Sequence, residues 1–332
     1  MDFIIADDKK MEVGFLPSDA QIDLDLNEKS DNRDGMNDGV LTLTGHAVNF
    51  GWYLFCPETE YGGRILDLKR ETSSSSREWF FDSWRRMLGQ IIIEPPAGQA
   101  YLTVDGDANA ILKQLLAEKY DGFFEVPDQP AGIPVKGQFD RYVPFLDGVG
   151  KLFGSFGARL KISAVQGGPG EAFTVWVEAV PIADRSEEIE YSQDQKINLS
   201  FRDYRRGINH LICLGTGELT ERMVRHLYVQ EDGSIGSVKH YTGLEERTAV
   251  FDYPNAETEE ELLKSGKEKL LEMMNYKKLE MTVKDMELEI GDIIAGRDRE
   301  SGLYLKKPIV GKVVKLNGGV CTTSYKVKGD EN

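Results

Sequence analysis

Cysteine is scarce. The 332-residue chain has three, Cys56, Cys213 and Cys321, odd in number, widely spaced and never in a C-x-x-C pair. Disulfide scaffolds and structural zinc are therefore poor readings. Histidine is almost as sparse. His46, His210, His226 and His240 stand far apart, without H-x-x-x-H or H-E-x-x-H spacing, and read as structural or surface groups instead of ligands or bases. No apolar run approaches the roughly 18–20 residues of a membrane helix. The start, Met1-Asp2-Phe3-Ile4-Ile5-Ala6-Asp7-Asp8, lacks the basic region and apolar core of a signal peptide, so synthesis in the cytoplasm without membrane insertion is expected. Positive charge is also short: 40 Lys+Arg face 56 Asp+Glu, a formal net charge of −16. That weighs against tight nucleic-acid binding, because a phosphate backbone is held by clustered Lys and Arg. It leaves room for a surface that DNA passes without sticking.

Turn formers and hydrophobic residues, by contrast, are plentiful. With 40% hydrophobic residues the chain is no disordered polymer, and its length suggests about two domains. The 34 glycines and 12 prolines imply frequent turns and a β-rich, α+β class. Residues 1–38 carry 11 acids against 4 bases. There, Ile22-Asp23-Leu24-Asp25-Leu26 alternates apolar and acidic side chains as a half-buried strand does, and residues 31–39 form a run of turn residues. Strands are predicted at 40–44, 63–70, 78–82 and 91–94, the last stopped by Pro95-Pro96. Asp107 is a predicted N-cap, followed by Ala108, Ile111, Leu112, Leu115 and Leu116 at helical spacing, with a stop near Asp121-Gly122. A second helix is predicted over 143–156. Strands at 135–139, 159–165 and 173–180 complete an α+β block. Further strands fall at 197–201, 208–214, 226–230 and 246–252. A helix over 258–275 starts with acids in its first turn and carries Leu263, Leu270, Met273 and Met274 as its stripe. Strands at 279–284, 309–316 and 321–327 end the chain. The organisation expected is an N-terminal β domain at 1–97 that reads as an antiparallel barrel or sandwich, an α+β domain at 98–190, and a second β domain, a β-barrel if the first is one, at 191–332 with a helical insertion at about 257–275. A weak likeness between the hairpins at 63–84 and 311–327 suggests that the two barrels are related. Chance is the stronger explanation, since hairpins look alike at this level.

No catalytic, cofactor-binding or metal-binding residue is assigned. Gly215-Thr216-Gly217 resembles a dinucleotide loop, but the third glycine position is Thr220 and no βαβ unit surrounds it, so a hairpin turn is the reading. No Ser sits in a G-x-S-x-G elbow. Asp105-Gly106-Asp107 offers two oxygens for a metal, yet Asp107 is already explained as a cap. Among 56 acids a glycosidase pair carries no information. Trp52, Trp79, Trp84 and Trp176 could line a sugar site, although aromatics at strand spacing more often fill a core. The basic patches Arg202-Asp203-Tyr204-Arg205-Arg206 and Trp84-Arg85-Arg86 are short and read as interface contacts.

Several segments resemble a known family. Gly63-Arg64-Ile65, Trp84-Arg85-Arg86-Met87-Leu88 and the run from Ile92 to Val104 are similar to long-tailed phage and prophage tail proteins of the siphovirus baseplate-hub type. So are Arg206-Gly207-Ile208-Asn209-His210-Leu211-Ile212 and Tyr241-Thr242-Gly243-Leu244-Glu245-Glu246-Arg247. Glu289-Ile290-Gly291-Asp292-Ile293-Ile294-Ala295-Gly296-Arg297-Asp298 and Leu305-Lys306-Lys307-Pro308-Ile309 continue the resemblance, which spans about residues 40–329. It implies two related β-barrels with α+β insertions in a homotrimeric ring at the virion tail tip. Its implied partners are the distal tail protein, the tape measure protein and receptor-binding, tail-fibre or lysin components, with DNA passing through the channel unbound. The chain stops at Asn332 without an appended peptidase or lysozyme domain, so an adaptor without catalysis or cofactor is expected. The alternative is a carbohydrate-binding or cell-wall-degrading tail-tip module.

Overall fold

The computed structural model describes residues 1–30, 37–45, 48–186, 197–256, 258–283, 288–297 and 304–327. His46, Lys284 and positions 31–36 of the expected loop lie outside them. In chain order the strands begin with β1 (Ile4–Ala6), β2 (Glu12–Phe15), β3 (Gln21–Asn27), β4 (Asp38–Thr44), β5 (Tyr53–Phe55), β6 (Gly62–Arg70) and β7 (Ser76–Ser83). Helix α1 (Trp84–Gly89) precedes β8 (Ile92–Ile93), β9 (Thr103–Asp107), α2 (Ala108–Leu116), β10 (Phe124–Glu125), β11 (Pro134–Gln138) and β12 (Val143–Pro144). Then come α3 (Phe145–Gly154), β13 (Ala158–Val165), β14 (Thr174–Pro181), β15 (Ile197–Tyr204), β16 (His210–Leu214), β17 (Val224–Val229), β18 (Ile235–Gly236) and β19 (Thr248–Asp252). Helix α4 (Glu259–Met273), β20 (Tyr276–Val283), β21 (Ile293–Arg297), β22 (Tyr304–Asn317) and β23 (Val320–Val327) follow.

Two compact units result. The first comprises Met1–Asn198 with Met281–Val327, the second Leu199–Glu280. In the first unit the main sheet runs β23-β22-β3-β4-β7-β6-β5-β1-β2, with β21 paired to β22. Strands from both ends of the chain thus share one ladder, Gly311 to Leu316 opposite Asn27 to Ile22. The two hairpins that look alike in sequence, β6–β7 and β22–β23, lie in this same sheet with β3 and β4 between them. The strand order closes no barrel among the described residues.

The acid/apolar alternation of β3 does what its period requires: Ile22, Leu24 and Leu26 are buried. An aromatic cluster forms the centre of the unit. Trp84 and Phe123 lie 5.7 Å apart, Tyr53 stacks on Phe123 at 5.4 Å, and Phe55 stacks on Phe173 at 4.5 Å. This core mixes side chains from β5, α1, α2, α3, β13 and β14.

Asp107 caps α2, its carboxylate accepting from the Asn109 N–H at 2.9 Å. The same carboxylate accepts from Ala131 N and Gly132 N, tying the helix start to a distant loop. The helix ends at Leu116, short of the expected Asp121-Gly122, because Ala117 leaves helical geometry and Glu118 turns left-handed at φ 61°. The second helix, α3, begins at Phe145 and not at 143, since Val143-Pro144 pairs with Ile92-Ile93 as β12 against β8.

The second unit has two layers. Its sheet runs β18-β17-β16-β19, with β16 and β17 antiparallel and β16 and β19 parallel. Thr258 caps α4 by accepting from Glu261 N, and Glu259, Glu260 and Glu261 fill the first turn. The buried stripe of α4 is Leu262, Gly266 and Leu270, so the expected Leu263 gives way to its neighbour. Gly266 explains the phase. A Cβ there would sit 2.5 Å from Cys213 Sγ and 3.0 Å from Leu227 Cδ1, so only glycine lets α4 press onto β16 and β17.

Candidate functional site

Three arrangements stand out, two buried and one open. The first lies in the first unit, where five of the expected motif residues meet. Arg85 Nε donates to Glu60 Oε2 at 2.7 Å, and Lys312 Nζ lies 3.0 Å from Glu60 Oε1 and 2.7 Å from Glu289 Oε2. The Lys312 side chain is 1% exposed. Next to it, Asp292 accepts from Arg159 Nε at 2.6 Å and from the backbone N–H groups of Ala183 and Glu289 at 3.3 Å. Gly291, at φ +99°, turns this loop where a Cβ would meet Arg159 Cβ at 2.9 Å. Burial pushes the Glu60 carboxyl up, but the Arg85 and Lys312 charges outweigh it and hold the pKa at about 2. Burial likewise works against the Lys312 ammonium, and Glu60 and Glu289 reverse it, raising its pKa. Burial and the Glu60 charge push Glu289 up. The motif residues Arg85, Glu289, Ile290, Gly291 and Asp292 therefore form a lock that fixes β22 and the loop before β21 against the N-terminal half of the same unit. Glu60 and Lys312, its centre, carry no sequence motif. The phase of β22 is the one signal: Lys312 shares a face with buried Val314 and Leu316.

The second arrangement lies in the second unit and brings together two histidines that are distant in sequence. His210 Nδ1 lies 2.9 Å from Glu246 Oε1 and 3.0 Å from Thr248 Oγ1, while its Nε2 lies 2.8 Å from His226 Nδ1. Tyr228 stacks on His210 at 4.5 Å. With the His210 proton on Nδ1 towards Glu246, Nε2 accepts and His226 must donate from Nδ1. Both nitrogens of His210 are engaged, so it cannot ligate a metal without releasing a partner. The Lys239 ammonium, bonded to the other Glu246 oxygen at 2.7 Å, holds that carboxyl below its ordinary range. His240 packs edge-on to Tyr241.

The remaining sequence candidates do not converge. Gly215-Thr216-Gly217 is the start of the β16–β17 connection, with Gly217 at φ +102°. Asp105 pairs with Lys136 at 2.7 Å. Trp79 and Trp84 are core, whereas Trp52 and Trp176 are partly exposed. Arg86 pairs with Asp82 and Asp38, and Arg205 and Arg206 are exposed. Among the described residues no group of three His, Cys, Asp or Glu has metal-site geometry. Burial raises the thiol pKa of all three cysteines, to about 11 at Cys213.

The third arrangement is a surface. Alternation along β16, β17 and β19 sends Leu211, Cys213 and Leu227 towards α4 and places Ile212, Val224 and Val250 on the opposite face. His210, His226 and Tyr228 lie on this same face and make one end of it polar, while Val224 and Val250 are exposed on it. Loops of the same unit add Leu219, Val238 and Leu244, with Leu219 93% exposed. In the first unit, β2 ends the sheet as an edge strand and exposes Val13 and Phe15. No described helix is long and apolar enough to cross a membrane.

No family model and no curated relative matches the chain. Solved structures do. The chain is similar to the prophage tail protein gp18 from Listeria monocytogenes EGD-e, at 14% identity over 98% of this chain and 94% of that one, with a TM-score of 0.47. It is similar to the prophage MuSo2 43 kDa tail protein from Shewanella oneidensis, at 11% identity, 99% and 98% coverage and a TM-score of 0.48. It is also similar to a chain of the p2 virion baseplate in its activated conformation, at 11% identity, 100% and 99% coverage and a TM-score of 0.48.

Proposed function

We propose that the chain is a structural hub of a phage or prophage tail tip, an adaptor and not an enzyme. In this reading three copies form a ring that continues the tail tube. Residues 1–97 and 191–332 act as related barrel-like domains around the α+β segment 98–190. The ring joins the distal tail and tape measure proteins on one side to receptor-binding or lysin components on the other. Part of the −16 net charge lines the channel, so that exiting DNA meets like charge and does not adhere. The observation that supports the reading is the set of exposed apolar side chains in the second unit, Val224 and Val250 on one sheet face and Leu219 and Leu244 in loops. A chain that leaves such side chains exposed is built for partners. The resemblance along residues 40–329 to hub-type tail proteins supports the partners named.

Virions or induced prophage particles test this directly. The protein should be present in purified particles, and gold-labelled antibody should mark the tail end distal to the capsid. Particles without it, or label along the tube or head, would overturn the reading.

A further inference from the structure

The 98–190 segment holds a pocket that the hub role does not use. It measures about 420 Å³ and lies between α2, β10 and β14. That is within the roughly 300–1,000 Å³ of small-ligand sites. Trp176 and Phe124 supply apolar surface, and Glu118, Glu125, Asp128 and Lys113 supply polar groups. Glu125 is fixed opposite Trp176 by the parallel β10–β14 register. Lys113 Nζ is bonded to Asp128 Oδ1 at 2.5 Å. Among the described residues the Trp176 indole and the Glu118 and Glu125 carboxylates take no side-chain partner.

The rim of the pocket is strained. Glu118, Tyr120 and Asp121 all adopt left-handed φ, at 61°, 49° and 51°, followed by Gly122 at 74°. Each such non-glycine residue is strained and persists only where its surroundings enforce it. Here the Tyr120 hydroxyl, donating to Met87 O at 3.0 Å, anchors the loop on α1.

We infer that this pocket binds a neutral sugar ring. A pyranose presents C–H groups on one face and, around its rim, hydroxyls that both donate and accept. The Trp176 indole matches the C–H face. The free carboxylates match hydroxyl donors, and the Lys113 ammonium and Trp176 N–H match hydroxyl acceptors. Three carboxylates against one ammonium repel anionic ligands. Lys113 at the wall opposes a basic peptide, the other class that an acidic aromatic pocket admits. This inference does not rest on the tail-tip reading.

The test is titration of the full chain with glucose, galactose, rhamnose and N-acetylglucosamine methyl glycosides, read by tryptophan fluorescence and calorimetry. At least one should bind with a millimolar Kd. Trp176→Ala should weaken it about tenfold or more, Trp176→Phe less, and Glu125→Gln about threefold, while Trp52→Ala should leave it unchanged. Trp176→Phe keeps the test open if the alanine variant misfolds. No binding by any of the four sugars, binding indifferent to Trp176 and Glu125, or saturable binding of an oligolysine peptide instead would each overturn it.

Discussion

The two units handle their apolar and charged residues in opposite ways. The first unit buries an aromatic cluster and places an ion network beneath β22, so its specificity lies inside. The second covers one sheet face with a single helix and leaves Val224 and Val250 exposed on the other. Loss of a buried partner should therefore be felt most in the first unit, and surface substitutions on the sheet face of the second should leave folding almost unchanged. A two-layer α/β unit has no other choice: one helix shields only one side of a sheet.

Breaking the contrast from the inside should have the largest effect. Lys312→Met removes one partner from a buried network and leaves Glu60 with Arg85 alone. Loss of about 3–5 kcal/mol is expected by denaturant or thermal unfolding. Acid probes the same network. The folded pKa of Glu60 is depressed, so its ionised form adds stability above its ordinary value of 4.5, and that stability disappears as pH falls towards about 2. Protonation of Glu289, whose pKa is raised, offsets part of the loss. A net loss on the order of 3 kcal/mol at most should appear between those limits, and should shrink in Lys312→Met. In the second unit, Gly266→Val should force α4 away from Cys213 and cost about 1–3 kcal/mol. Thr258→Ala, which deletes the α4 cap, should cost about 1 kcal/mol and be visible as a lower Tm. Val250→Lys should change folding stability by no more than about 0.5 kcal/mol, since the site is exposed.

Local features of the sequence were readable, and pairings between distant segments were not. The caps Asp107 and Thr258 were legible because a cap acts within three residues of itself. Strand β3 was legible because its period is 2. In the stripe of α4, Leu270 and Met274 are buried as expected, but Leu262 is buried in place of Leu263; the two leucines fit a helical pattern equally, and the choice rests on how closely Gly266 approaches Cys213. Glu60 and Lys312 meet across most of the chain length, and no local pattern reports that. His210 and His226 meet because the β16–β17 register sets them diagonally on one face, two residue pairs apart. The composition of this sheet face is invisible in sequence for the same reason: Val250 becomes the neighbour of Ile212, and Val224 that of Leu214, only through pairing.

The most direct test of assembly is the solution mass of the native chain beside a Leu244→Lys/Val250→Lys variant, by light scattering after size exclusion. The native chain should run at three times 37.3 kDa, and the variant at 37.3 kDa with an unchanged Tm. A native chain that stays monomeric at every concentration, or a variant that still forms the trimer, would contradict assembly through this face.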